Sequence, residues 1–136
     1  MATIIVDASV AVKWFISEEG TVAANRLLGS RNLVAPDIIV PELANVLWKL
    51  CVRGFVPKEE AGPIIESFLS LPIEICDAKP LTISAVEIAI ATGRTVYDSL
   101  HLALAIECNG VMITADKRLV NALSNTDFER FIRLLR

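Results

Sequence analysis

Ile4-Ile5-Val6-Asp7-Ala8-Ser9-Val10 stands almost at the N-terminus of this 136-residue chain. Three β-branched residues in succession predict a short, fully buried strand. The apolar run stops at Asp7, and a helical pattern begins at Ser9-Val10-Ala11-Val12-Lys13-Trp14-Phe15. A strand that turns directly into a helix leaves Asp7 at the strand's carboxyl end. In an open parallel sheet, that edge is where ligands bind.

Outward from this stretch, strand-like and helix-like segments alternate. Residues 9–17 read as a helix, and Gly20 and Thr21 open a second one that Gly29 closes. Leu33-Val34-Ala35 is a minimal strand. A long helix follows, starting between Asp37 and Pro41 and stopped by Gly54, with Leu43, Val46, Leu47, Leu50 and Cys51 as its apolar stripe. Glu42, Asn45 and Lys49 lie along a different face of it. Pro57 opens the next helix, Ile73–Cys76 is a third strand, and another helix runs from about Pro80 to Thr92. Thr95-Val96-Tyr97-Asp98 introduces an apolar helix that ends at Asn109-Gly110. Val111–Thr114 is a fourth strand, then come a short helix over Lys117–Leu123 and a last apolar segment, Phe131–Leu135. Alternation of this kind predicts an α/β fold, a three-layer α/β/α sandwich around a parallel sheet. At this length the chain reads as one domain, residues 1–136.

Bulk properties narrow the chemistry. Hydrophobic residues make up 54% and charged residues 21%, as in a folded globular chain. No apolar run reaches the roughly 18 residues of a membrane span and no charged leader precedes one, which predicts a cytoplasmic protein without a membrane partner. Cys51, Cys76 and Cys108 lack zinc-site spacing and read as buried free thiols. The single histidine, His101, excludes a multi-histidine metal centre. Net charge is −3, so overall electrostatics do not attract nucleic acid, and a local patch or a cation has to.

Four acids have individually ordinary explanations. Asp7 and Asp116 precede helices and can cap them, Thr95-x-x-Asp98 is a capping-box pattern, and Glu42 suits a first turn. Their joint placement is less ordinary. Asp7 and Asp116 both follow strands and become neighbours if the first strand lies at the switch point of the sheet. Glu42 and Asp98 begin the two most apolar helices, which have to pack on that sheet. Four carboxylates there repel one another unless a cation sits between them. With oxygen as the only ligand type, the cation is hard, Mg²⁺ or Mn²⁺, and keeps several waters. Asp7 and Asp98 are the choice for direct ligands, with Glu42 and Asp116 holding waters or a second ion. Ser9 and Thr114 can bind water or phosphate, or act as caps, and Asn45 lies one turn beyond Glu42.

The elements IIVDASV, PELANVL, TVYDSLHLALA and VMITADKRL, in this order and spacing, resemble a PIN domain, most of all the small ribonucleases of the VapC toxin type. The likeness spans nearly the whole chain, and DSLHLALA followed by TADKRL is its most telling part. It implies that the family's acidic quartet falls on Asp7, Glu42, Asp98 and Asp116, with Ser9 and Thr114 at the small hydroxyl positions. It further implies a central parallel sheet of about five strands, Mg²⁺ or Mn²⁺ dependence, RNA as substrate, a homodimer, and an antitoxin that wraps the toxin. A non-catalytic PIN-like module that binds RNA or protein is the alternative.

Other folds with an aspartate after the first strand fit poorly. Asp7-Ala8-Ser9 lacks the second acid of a haloacid-dehalogenase D-x-D. Asp98 opens a helix, whereas the acceptor of a receiver domain ends a strand. No G-x-G-x-x-G follows the first strand. His101 reads as a core histidine bonded to a backbone group. Lys13, Lys49, Arg53, Arg94, Lys117 and Arg118 form a candidate cationic ring for an RNA backbone. Trp14 and Trp48 read as core or dimer-interface residues.

Overall fold

The computed structural model describes residues 2–30 and 32–136. Five strands alternate with helices along it. β1 (Ile4–Val6) leads into α1 (Ala8–Ala11), a 3₁₀ turn (Val12–Trp14) and α2 (Thr21–Leu27). β2 (Leu33–Pro36) is followed by α3 (Ile39–Val52) and α4 (Lys58–Leu69), and β3 (Glu74–Cys76) by a 3₁₀ turn and α5 (Thr82–Thr92). α6 (Val96–Glu107) precedes β4 (Val111–Thr114), and α7 (Lys117–Leu123) precedes a 3₁₀ turn and β5 (Ile132–Leu134).

All four pairings in the sheet are parallel, in the order β3-β2-β1-β4-β5. The chain therefore runs outward from β1 on one side, then crosses back to β1's other side. The switch point lies between β1 and β4, where Val6 is paired with Ile113. Asp7, just past β1, and Thr114, the last residue of β4, consequently meet at the carboxyl edge.

Alternating side chains divide the interior into two cores. Ile5, Val34, Met112 and Ile132 face α5, α6 and α7. Val6, Leu33, Ala35 and Ile113 face α1 to α4, with Leu43, Leu47 and Phe68 beneath. Helices on both faces of the sheet complete the three-layer sandwich. α6 is the most enclosed of them, every residue from Ser99 to Ala105 being buried. Burial at this depth fixes the direction of its first turn, and thereby the position of Asp98.

Several local expectations change. The first helix is shorter than residues 9–17: Asp7 caps it one residue earlier, and it tightens into a 3₁₀ turn that ends at Phe15. β-branched and aromatic residues crowd this segment and favour helix weakly. Trp14 instead donates to the Ala24 carbonyl at 2.7 Å and stacks on Phe68. α3 begins at Ile39, which places Pro41 in the first turn, where its missing N–H interrupts no bond. The closing apolar segment forms an edge strand, anchored by Leu135 N–H donating to the Thr114 carbonyl. The thiols are free as expected but not buried: Cys51 and Cys76 are half-buried and Cys108 is exposed. Trp48 is likewise no core residue, lying 60% exposed.

Candidate active site

Asp7 is the most tightly held of the four acids. One carboxylate oxygen accepts from Ser9 Oγ at 2.5 Å and from the Val10 N–H at 3.3 Å. The other accepts from Thr114 Oγ1 at 2.5 Å. Both hydroxyls are themselves acceptors, Ser9 from the Ala115 N–H at 2.9 Å and Thr114 from the Asp116 N–H at 3.2 Å. Each hydroxyl has one hydrogen, and each directs it to Asp7. The 3.3 Å approach of Ser9 to Thr114 therefore carries no hydrogen bond in this arrangement. The network binds the tips of β1 and β4 together. It fills three of the about four acceptor positions of a carboxylate and leaves room for one more contact.

Asp116 uses Oδ1 to cap α7, accepting from the Arg118 and Leu119 N–H groups at 3.0 and 3.2 Å. Its second oxygen has no protein partner among the described residues. The capping and site readings of this residue are compatible, because they use different oxygens.

Asp98 sits in the first turn of α6, set there by Thr95, whose hydroxyl accepts from the Asp98 N–H at 3.1 Å. Gly93, at φ +74°, ends α5 in a left-handed turn that lets the chain enter this cap. The Asp98 carboxylate makes no hydrogen bond among the described residues. Burial raises its pKa above the ordinary value, and repulsion by Asp7 and Asp116 adds to the rise against the opposing charges of Arg94 and His101. The structure thus brings three aspartates within electrostatic reach of one another.

Glu42 reaches the same centre from α3 and is held by a partner the sequence reading misses. His101 Nε2 lies 2.7 Å from Glu42 Oε1, which replaces the expected backbone partner with a carboxylate. His101 is 1% exposed. Burial alone would push its pKa down. The hydrogen bond and charge of Glu42, with Asp7 and Asp98 behind them, outweigh burial and hold it above the usual value. Its Nδ1 has no partner among the described residues. Asn45, one turn along α3, is exposed and makes no hydrogen bond among the described residues. It lines an open cleft of about 390 Å³ with Ala8, Ile38, Pro41, Glu42, Val46 and Tyr97. A hollow of about 510 Å³ between α5 and α6 is larger but holds none of these acids.

No three His, Cys, Asp or Glu side chains, among the described residues, stand together as direct ligands of one ion. The donor chemistry nevertheless suits a hard cation bound mostly through water. The open groups are carboxylate oxygens, the single imidazole is engaged by Glu42, and Mg²⁺ commonly takes only one or two carboxylates directly. The aspartates also lack an ion-pair partner: the two pairs found among the described residues are Lys13–Glu18 and His101–Glu42. Lys13, bonded to Glu18 and to the Glu19 carbonyl, leaves the candidate cationic ring. Arg94 stays beside Asp98, with its buried Nε unpartnered among the described residues. Lys117 and Arg118 are exposed in the first turn of α7.

Residues 4–124 match the family model described as the PIN domain, and the chain belongs to that family. It is 29% identical over 119 residues to Ribonuclease VapC3 of Pyrobaculum aerophilum, covering 85% of this chain and 91% of that protein. Ribonuclease VapC12 of Mycobacterium tuberculosis is also 29% identical over 119 residues, covering 88% and 91%. Among solved structures, PAE2754 from Pyrobaculum aerophilum superposes with a TM-score of 0.71 at 22% identity, over 92% of this chain and 82% of the other. VapBC2 from Rickettsia felis, bound to a promoter DNA fragment, gives 0.64 at 16% identity over 98% and 99%. Both structural likenesses show the fold.

Proposed function

We propose that residues 1–136 act as one PIN domain and that the chain is an endoribonuclease toxin dependent on Mg²⁺ or Mn²⁺. One observation carries the reading. Asp7, Asp98 and Asp116 converge at the switch point of the sheet, with no ion-paired cation among the described residues to offset their charge. The relatives named ribonuclease support RNA as the substrate.

Asp7 and Asp98 would hold the cation directly, and Asp116 and Glu42 would hold waters or a second ion. When bound, such an ion neutralises phosphate charge and acidifies a water molecule. Ser9 and Thr114 keep the Asp7 oxygens aimed by donating to both of them. Glu42, turned by His101 through one oxygen, offers the other to orient or deprotonate the attacking water. Asn45 stands beside it. In-line attack forms a new P–O bond and breaks the bond to the 3′ oxygen, leaving a 5′-phosphate and a 3′-hydroxyl. No 2′-hydroxyl takes part, so the preference for RNA rests on the likeness to the named ribonucleases.

A VapBC complex among the structural neighbours supports an antitoxin partner. Exposed apolar stripes, Ile83, Val86 and Ile90 on α5 and Trp48, Val52 and Phe55 at the end of α3, are suitable surfaces for an antitoxin and for a homodimer. No helix, among the described residues, is long and apolar enough to cross a membrane, and a cytoplasmic location is part of the proposal.

The test is cleavage of a mixed panel of labelled RNAs at low salt in Mg²⁺, Mn²⁺ or EDTA, with wild type beside Asp7→Asn and Asp98→Asn. Metal-dependent cuts that vanish in both folded variants establish the nuclease. RNA binding by all three proteins without cutting in any condition points to a non-catalytic module.

A further inference from the structure

The cleft beside Glu42 contains hydrogen-bonding groups that have no partner among the described residues. Tyr97 is 59% exposed, although it belongs to a helix buried from Ser99 to Ala105. Its hydroxyl and the Asn45 carboxamide make no hydrogen bond among the described residues. The same cleft is lined by the apolar side chains of Ile38, Pro41 and Val46. Its volume of about 390 Å³ falls within the range of small-ligand clefts.

We infer that this cleft is a base-recognition subsite: an unpaired nucleobase of the RNA next to the cut stacks on Tyr97 and is read by Asn45. The inference rests on the nuclease reading above and adds where substrate selectivity arises. Sequence-selective RNA recognition commonly takes splayed, unpaired bases, stacks them on aromatic rings and hydrogen-bonds their edges. The cleft provides both elements. It is also continuous with the candidate active site, because Glu42 lines it. A phosphate placed for attack by a water held at Glu42 sends one of its two flanking nucleosides toward Tyr97. An asparagine amide presents a donor and an acceptor side by side, which suits the adjacent donor and acceptor of a base edge.

The experiment uses the full chain and short single-stranded RNAs that differ only in the nucleotides flanking the cut. Cleavage is measured in Mg²⁺ for wild type, Tyr97→Ala, Tyr97→Phe and Asn45→Ala, and RNA binding is measured separately in EDTA. Tyr97→Ala is expected to raise KM and weaken binding about tenfold, within the usual contribution of one stacked base, with kcat little changed. Tyr97→Phe keeps the ring and is expected to restore both. Asn45→Ala is expected to change the ranking of the four bases at one flanking position. The subsite is overturned if Tyr97→Ala leaves KM, binding and base ranking unaltered. It is equally overturned if Asn45→Ala slows every sequence alike, as a water-positioning residue would. Loss of a co-purifying protein partner in Tyr97→Ala, with RNA cleavage unchanged, assigns the cleft to that partner and overturns it too. Absence of cutting by wild type in any metal is a failure of the nuclease reading, and is separable from all of these.

Discussion

The two sides of the acidic centre are built differently. At the β1–β4 side, Asp7 accepts three hydrogen bonds, two of them from hydroxyls that backbone N–H groups hold in turn. At the α3–α6 side, Glu42 is gripped by one imidazole through Oε1, and the residue lines an open cleft. The first side is closed and fixes Asp7 through three of its about four acceptor positions, which suits a ligand that must not move. The second is open and half-engaged, as befits a group that meets water and substrate. Rigidity and access are thus divided between two pairs of elements that share one sheet edge.

The comparison breaks first at Asp7. Asp7→Asn replaces one acceptor oxygen with a donor that faces a hydroxyl already donating. Groups that merely support metal ligands change activity about 10- to 100-fold, so RNA cleavage is expected to fall by at least about a hundredfold. The rate in saturating Mg²⁺ checks it, and a loss under tenfold would remove Asp7 from the centre.

On the opposite side, His101→Leu is expected to slow cleavage about tenfold, as for supporting partners, with His101→Gln recovering part of the rate through its own N–H donor. Stability is expected to stay within about 1 kcal/mol, because leucine removes a buried Nδ1 that has no partner among the described residues, while Glu42 keeps contact with water. Denaturant unfolding beside a kcat measurement separates the two effects. A large stability loss with unchanged kcat would make His101 a packing residue only.

Thr114→Val preserves shape but removes a donor to Asp7 and an acceptor for the Asp116 N–H, in a wholly buried position. The expected loss of stability is about 2 kcal/mol. Ser9→Ala, at a half-buried position, is expected to lose about half as much. Equal losses for the two would contradict the closed character of this corner.

Asp98 gives the smallest effect and a definite sign. Its folded-state pKa lies above the ordinary 3.8, so in that interval the native state binds more protons than the unfolded chain. Metal-free stability therefore falls as pH rises from 3.8 through the raised value, and the full penalty is present above it. Asp98→Asn in EDTA is expected to melt above wild type at neutral pH, with the difference vanishing toward pH 4. A lower melting temperature at neutral pH would show that Asp98 is not held against its neighbours' charge.

Much of this was readable one element at a time. Ile4-Ile5-Val6 and Val111-Met112-Ile113 announce buried strands, and Asp7, Thr95 and Asp116 each occupy the cap they suggest. The Glu42–His101 pair was not readable, because 59 residues separate partners whose meeting depends on how α3 and α6 dock. Tyr97 gave one signal, an aromatic beside Asp98 ahead of an apolar run, but its exposure depends on what fails to cover it. The cysteines misled for the same reason: residue type suggests burial, and neighbouring elements decide it.

By itself, the sequence determined the alternation of strands and helices, the caps, and a site chemistry restricted to oxygen by one histidine and three scattered cysteines. Those properties follow from backbone preferences and side-chain inventory, which act over a few residues. Tertiary structure alone decided that β4 returns beside β1 with Val6 against Ile113, that Thr114 closes over Asp7, and that His101 reaches Glu42. Such contacts arise when two faces of one sheet bury different sets of helices, a condition that no short stretch of chain contains.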